Sequence, residues 1–300
     1  MHPLHDTRNS LRDSLALALD DIGILSGVVI VDRLRTVQGL GLDVDEHVAR
    51  FEQSCRGVEI HLPNHEELIC RAHQCVEQHR DLFAPNDFSL VMLATPGRQG
   101  VHPPQPTLIF QALSIDWSRL ASWYQLGQRL SISTYHNVPA ACWSPAIKTR
   151  ARLQYYLADQ QARAVTGDEF AAALLLDTDG YLTETSAANV LIAENNCLVS
   201  PCRENILVGI SLKRTQRLAL RLGYRCVEEP ITAERAQQAD AILLCGSTGC
   251  LWPAASLGER EFAQAKQHEM YVRLAEAWKN DIALDFVQQA ITCARRASAH

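Results

Sequence analysis

The sequence predicts an α+β chain of two domains, on three observations. Its 300 residues are about twice the length of an ordinary domain. Strand-like and helix-like segments follow one another with neither the regular βαβ alternation of a doubly wound sheet nor a run of hairpins. A stretch with two prolines, residues 137–145, separates a mixed N-terminal part from a C-terminal part richer in signals. The expected domains are therefore residues 1–136 and 137–300.

Each element has a local cause. Residues 27–31 (GVVIV) are a β-branched run, continued by 33–36, and predict the first strand. Residues 45–56 predict a helix with Val48 and Phe51 on one face and Asp43 or Asp45 as its cap. Asn64 followed by Glu67 has the form of a capping box, heading a second helix that buries Leu68, Ile69, Ala72 and Val76. Two strand patterns, FSLVMLAT (88–95) and TLIFQAL (107–113), flank a Gly/Pro-rich turn over 96–106, and residues 129–134 predict another strand. In the C-terminal part, residues 149–166 predict a helix with Leu153, Tyr156, Leu157 and Ala164 near one face, ended by Gly167. Strands over 171–176 and 189–193 surround the turn Asp177-Thr-Asp-Gly180 and the segment 181–188. Residues 212–222 predict a helix stopped by Gly223. The run AILLC (241–245) predicts a buried strand leading into Gly246-Ser-Thr-Gly249, and residues 260–296 are largely helical in pattern.

Composition narrows the function. With 28 Lys+Arg against 34 Asp+Glu and a formal net charge of −6, nothing points to a nucleic-acid partner. The longest apolar runs, residues 170–176 and 28–31, fall far short of the roughly 18 residues a membrane helix needs. The apolar stretch 15–19 is too short for a signal-peptide core and is closed by Asp20 and Asp21, so a cytoplasmic protein without a membrane partner is expected. Ten cysteines spread through a chain with 47% hydrophobic residues read as reduced thiols. The densest His/Cys region (His61, His65, Cys70, His73, Cys75, His79) contains no C-x-x-C pair and has no second cluster at zinc-ligand spacing. It reads as the surface of an amphipathic helix, and no metal is expected.

Four features converge on an anionic, electron-withdrawing ligand. Gly209-Ile210-Ser211 stands immediately before a helix, where unpaired N–H groups and the positive end of the dipole face an anion. Gly246-Ser247-Thr248-Gly249 follows a buried strand and offers two hydroxyls in a flexible turn. Taken alone, each is as well explained by a helix cap or an ordinary turn. Lys148 follows the apolar stretch Pro145-Ala-Ile147 and precedes a helix, an unfavourable place for a cation. A lysine in a partly desolvated setting is suited to bonding with an aldehyde. Glu184, in Leu182-Thr-Glu-Thr-Ser186, is a carboxylate able to face a ring nitrogen, or a solvated turn residue. Spacing does not choose between these readings.

A longer pattern does. Ile147-Lys148, then Asp177-Thr-Asp-Gly180-Tyr-Leu-Thr-Glu184-Thr-Ser-Ala-Ala-Asn189-Val, Ser200-Pro201, Gly209-Ile-Ser211 and Gly246-Ser-Thr248 with Trp252-Pro253 resemble the class IV pyridoxal-phosphate enzymes. These include branched-chain and D-amino-acid aminotransferases and aminodeoxychorismate lyase. Upstream, Asp21-x-Gly23-x-x-x-Gly27 and His47-Val-Ala-Arg50-Phe51 extend the resemblance, which covers most of residues 20–260.

The resemblance implies the two-domain fold type IV, with a small α/β N-terminal domain and a larger C-terminal domain built on a mixed, barrel-like sheet. It implies homodimers whose sites lie at the domain boundary, reached by residues of the partner chain. It implies pyridoxal 5′-phosphate held by Lys148 as an internal aldimine, the freed lysine then moving a proton at the substrate α-carbon. Glu184 is placed on the pyridinium nitrogen, and Arg50, Gly209, Ile210, Ser211, Ser247 and Thr248 around the cofactor and its phosphate. Asn189 shapes the turn beneath. The implied reaction moves an amino group from an amino acid or amine to a 2-oxo acid, the alternative being release of pyruvate from aminodeoxychorismate. The chain departs from the family pattern in having Leu212 before Lys213-Arg214, Val31-Asp32 in place of Phe-Glu, and Leu153 where branched-chain enzymes carry tyrosine. Arg98 and His102 are offset from the arginine positions that grip a substrate carboxylate.

Overall fold

The computed structural model describes residues 17–297; of the apolar stretch 15–19, Leu15 and Ala16 lie outside them. Grouped by contacts, the chain forms two compact units. The first runs to Ile115 and regains Ile147–Ala151; the second comprises Asp116–Ala146 and the residues from Arg152 onward. The units thus part at Ile115 and Asp116, upstream of the 136/137 division read from the sequence. Strand pairing accounts for this, because residues 128–132 pair with strands of the second unit on both sides.

In the first unit, α1 (Ile22–Ser26) leads into β1 (Ile30–Val37), β2 (Leu40–Gly41), α2 (Val44–Arg56), α3 (His65–Phe83), β3 (Phe88–Thr95) and β4 (Thr107–Ser114). The strands form an antiparallel sheet in the order β2-β1-β3-β4. Val48 and Phe51 of α2 and Leu68, Ala72 and Val76 of α3 pack into one core with Ile30, Leu34, Leu90 and Met92, Ile69 lying at its margin. Asn64 caps α3 by accepting the Glu67 N–H at 2.9 Å. Asp43 stands at the head of α2 in the left-handed region (φ 54°) and makes no side-chain cap bond.

The second unit contains α4 (Trp117–Leu126), β5 (Gln128–Ile132), α5 (Leu153–Thr166), β6 (Ala172–Leu174), β7 (Asn189–Glu194), β8 (Cys197–Ser200), α6 (Ile210–Arg221), β9 (Arg225–Glu228), α7 (Ala233–Gln238), β10 (Ala241–Gly246), β11 (Cys250–Leu257), β12 (Arg260–Glu261), α8 (Glu269–Ile282) and α9 (Phe286–Ala297). Eight strands make one mixed sheet along the path β6-β5-β11-β10-β7-β8-β9, with β12 on β11. The AILLC run fills β10 at its centre, buried on both faces as its continuous apolar pattern requires. Trp123 stacks on Trp252 with ring centroids 4.8 Å apart, and Trp278 donates its indole N–H to Thr215 at 3.0 Å.

The helix expected over 149–166 begins later, at Leu153, and buries a different face. Tyr155, Ala158 and Ala162 point inward, whereas Leu153 and Tyr156 are 70% and 62% exposed. Close approach decides this: Ala158 and Ala162 pack against Ala171 and Ala173 beside β6, a contact that bulkier side chains would hold apart. Within 260–296 the α-helices start only at Glu269, after the short strand β12 and a single 3-10 turn at Ala265–Gln267. No helix among the described residues is long and apolar enough to cross a membrane.

Candidate active site

In the first unit, β1 and α2 position the two cationic candidates. Arg50 reaches from α2 to Asp32 of β1 with two hydrogen bonds, Nε to Oδ2 at 2.7 Å and Nη2 to Oδ1 at 2.8 Å. His47, one turn earlier, meets Oδ1 of the same carboxylate through Nδ1 at 2.7 Å. Asp32 is completely buried. Burial by itself raises its pKa, but the Arg50 charge and the His47 bond outweigh that and hold the carboxyl well below its ordinary range. For His47 burial wins instead and pushes its pKa down against the pull of Asp32. The consistent state is an Arg50–Asp32 ion pair with a neutral His47 donating its Nδ1–H.

Lys148 is half-buried and lies in an extended strap, not in the first turn of a helix. Its N–H donates to Ser54 Oγ of α2 at 3.1 Å, and its carbonyl accepts the Val31 N–H of β1 at 2.9 Å. Arg150 continues the strap by donating its N–H to the Val29 carbonyl at 2.8 Å, and Thr149 bridges Ile30. Backbone pairing along β1 keeps residues 148–150 extended, which corrects the expected start at Thr149. Ser54 is four residues beyond Arg50 on α2, and Val31 adjoins Asp32. The main chain of Lys148 and the guanidinium of Arg50 are therefore set by the same two elements.

In the second unit, Glu184 is half-buried and bridges Asn189 at the head of β7. Its Oε1 accepts the Tyr155 hydroxyl at 2.8 Å, and its Oε2 accepts Asn189 Nδ2 at 3.2 Å. Asn189 Nδ2 also donates to the Leu207 carbonyl at 2.8 Å, while its Oδ1 accepts the Gly209 N–H at 3.1 Å. One side chain thus ties the carboxylate to the loop that opens α6. Gly209 occupies the N-cap with no side-chain cap bond, so the first peptide groups of α6, at Ile210 and Ser211, present the positive end of the helix. A Cβ at Gly209 would lie 2.2 Å from Asn189 Oδ1, so only glycine allows this approach. Ser247 and Thr248 form the turn between β10 and β11, both half-buried, and Tyr124 fixes that turn by donating its hydroxyl to the Gly249 carbonyl at 2.6 Å.

Several of these residues escape sequence reasoning. Asp32 looks like a mere departure from a motif, yet it anchors Arg50. Ser54, Tyr155 and Arg152 carry no motif at all. Arg152 places its guanidinium carbon 4.4 Å from the centre of the Tyr155 ring and donates to the Ser186 carbonyl. The offset cations are engaged elsewhere: Arg98 is held by Asp20 at 2.7 to 3.0 Å, and Arg214 turns to Asp281 and the Trp278 ring. In the His/Cys region, His65 binds Glu52 and Asp45, and His79 bonds the Cys75 carbonyl. No group of three His, Cys, Asp or Glu among the described residues is arranged to hold a metal ion.

Comparison with known proteins bears on the same region. The family Amino-transferase class IV matches residues 30–257. A putative branched-chain-amino-acid aminotransferase of Methanocaldococcus jannaschii is 27% identical over 267 residues, 87% of this chain and 89% of that protein. Among solved structures, a putative 4-amino-4-deoxychorismate lyase from Legionella pneumophila superposes with a TM-score of 0.76 at 21% identity, covering 90% of this chain and 97% of the other. The branched-chain amino acid aminotransferase of T.th. with pyridoxamine 5′-phosphate gives 0.78 at 22% identity, covering 90% of each chain. The structural likenesses show that the fold is shared.

Proposed function

The chain belongs to the class IV aminotransferases, and from that premise we propose that it transfers an amino group from an amino acid or amine to a 2-oxo acid, using pyridoxal 5′-phosphate. The observation that carries the reading is the Asn189 tie. It joins a fixed carboxylate, suited to a protonated ring nitrogen, to an uncapped helix N-terminus, suited to a phosphate. The donor set fits the cofactor in chemistry, and the glycine at position 209 leaves room for Asn189 Oδ1 to sit against the head of α6. When bound, the cofactor supplies an electron-withdrawing ring and an aldehyde.

Each residue then has a task. Lys148 Nζ would hold the aldehyde and, once displaced by the substrate amine, would be the free base that takes and returns a proton at the substrate α-carbon. Its backbone, pinned by Ser54 and Val31, limits where that nitrogen can reach. Glu184 keeps the ring nitrogen protonated. Ile210 and Ser211 through their N–H groups, the hydroxyls of Ser247 and Thr248, and the guanidinium of Arg50 bind the phosphate, while Gly209, whose N–H goes to Asn189, joins that side chain to the head of α6.

A second reading, release of pyruvate from aminodeoxychorismate, is favoured by the likeness to the Legionella protein and by Leu153 standing where branched-chain enzymes carry tyrosine. Screening amino donors against 2-oxoglutarate and pyruvate tests the first reading. Pyruvate formed from aminodeoxychorismate without any acceptor supports the second, and turnover with neither contradicts both.

The proposal extends to a cytoplasmic homodimer. All ten cysteines are free thiols, as in a reducing compartment. Leu153 and Tyr156 form an exposed apolar face on α5 suited to a second copy of the chain. Light scattering of the purified protein checks the assembly, and a monomeric mass contradicts it.

A further inference from the structure

We propose that Tyr155 is a positioning residue for Glu184: its hydroxyl, backed by the Arg152 guanidinium on the ring face, holds the carboxylate ionised and in place. This deepens the reading above and rests on it.

The Tyr155 side chain is buried, with its ring fixed between Arg152 and the alanine contacts of α5. Its hydroxyl has two acceptors within reach, Glu184 Oε1 at 2.8 Å and Asn137 Oδ1 at 3.2 Å. A phenol has one proton, and the shorter, charge-assisted bond to the carboxylate takes it. Burial, and then the Glu184 charge, raise the Tyr155 pKa well above 10, so the group remains a donor throughout the working pH range. Arg152 lies over the ring face, where a cation draws electron density from the phenol and strengthens the O–H as a donor. Among the described residues Arg152 has no carboxylate partner; its one hydrogen bond goes to the Ser186 carbonyl, in the segment that follows Glu184. The order is guanidinium, ring, hydroxyl, carboxylate. Asn189 holds the other oxygen, so Glu184 is gripped from both sides and its remaining lone pairs are aimed rather than free to rotate in solvent.

The test uses the whole protein loaded with pyridoxal 5′-phosphate. Tyr155→Phe keeps the ring and removes only the hydroxyl. Cofactor affinity, read from the visible absorption band on titration of the apoprotein, is expected to fall about tenfold, the scale of a lost hydrogen bond to a charged group. The pH at which the band changes is expected to shift, because removing a donor from the carboxylate favours its protonated form and so alters its hold on the ring-nitrogen proton. Arg152→Met, with the hydroxyl intact, is expected to move that pH in the same direction by less, and it serves as the second arm should Tyr155→Phe fail to fold. In the Glu184→Gln background, Tyr155→Phe is expected to add little, since the hydroxyl acts through Glu184. Additive losses in that cycle, or an unchanged affinity and band pH in both single variants, overturn the positioning role. If the unaltered protein takes up no cofactor, the reading of function fails and this inference with it; a coloured parent with unshifted variants refutes the inference alone.

Discussion

Arg50 grips the buried carboxylate of Asp32 with two bonds of 2.7 and 2.8 Å, so the cation assigned to phosphate is itself held by an anion inside the first unit. Breaking such a pair from one side leaves an uncompensated buried charge. Asp32→Asn is expected to lower stability by about 3–5 kcal/mol, read as a fall in the urea midpoint. The variant is also expected to weaken pyridoxal-phosphate uptake, since Arg50 loses its fixed orientation. A midpoint within experimental error of the parent refutes the anchor.

Acid is expected to act on this triad in two stages. His47 has a folded pKa below its ordinary value, so the unfolded chain binds more protons and stability falls as pH drops below about 6.5. Asp32, also lowered, adds stability above its unfolded pKa of about 4, and that contribution is lost as pH falls further. Thermal melts from pH 8 to 3 check both stages. His47→Gln is expected to flatten the first and keep the second, and an identical profile contradicts the assignment.

Gly209→Ala puts a methyl group 2.2 Å from Asn189 Oδ1, so the buried, hydrogen-bonded Asn189 side chain has to move. The overlap is expected to cost about 1–3 kcal/mol, as overpacking does, and to displace the side chain that ties Glu184 to α6. Cofactor affinity falls further than for an alanine placed on the exposed face of the same helix. Equal losses in the two variants contradict the tie.

Thiol reactivity gives an independent check on burial. Desolvation pushes Cys55 and Cys245 up to about 12 and Cys75 up to about 11, which leaves almost no thiolate at neutral pH. Cys70 and Cys142 are exposed. Mass spectrometry after brief alkylation is expected to find those two modified first and Cys55, Cys75 and Cys245 spared. Early labelling of the buried three contradicts the packing described.

The strong local signals were legible in the sequence: the Asn64 cap, the AILLC strand and Gly209 before α6 each formed as their pattern requires, whereas of the β-branched run 27–31 only Ile30 and Val31 enter β1. What could not be read is set by tertiary contact. The strap at Lys148 is extended because β1 pairs with it, and no pattern within 148–152 announces a partner more than a hundred residues away. The buried face of α5 follows alanines meeting alanines, against the larger hydrophobic signal of Leu153 and Tyr156. Asp32, Ser54 and Tyr155 take their roles from side chains brought near by folding. For that reason the cofactor motif was visible and the residues that hold it in place were not.

The central claim is that Lys148 is the group that binds the aldehyde of pyridoxal 5′-phosphate, and the visible spectrum tests it most directly. The parent protein titrated with the cofactor is expected to turn yellow, with a protein-bound absorption band that Lys148→Ala lacks while circular dichroism shows the fold intact. A folded Lys148→Ala protein that keeps the same band, or a parent that stays colourless with added cofactor, contradicts the account.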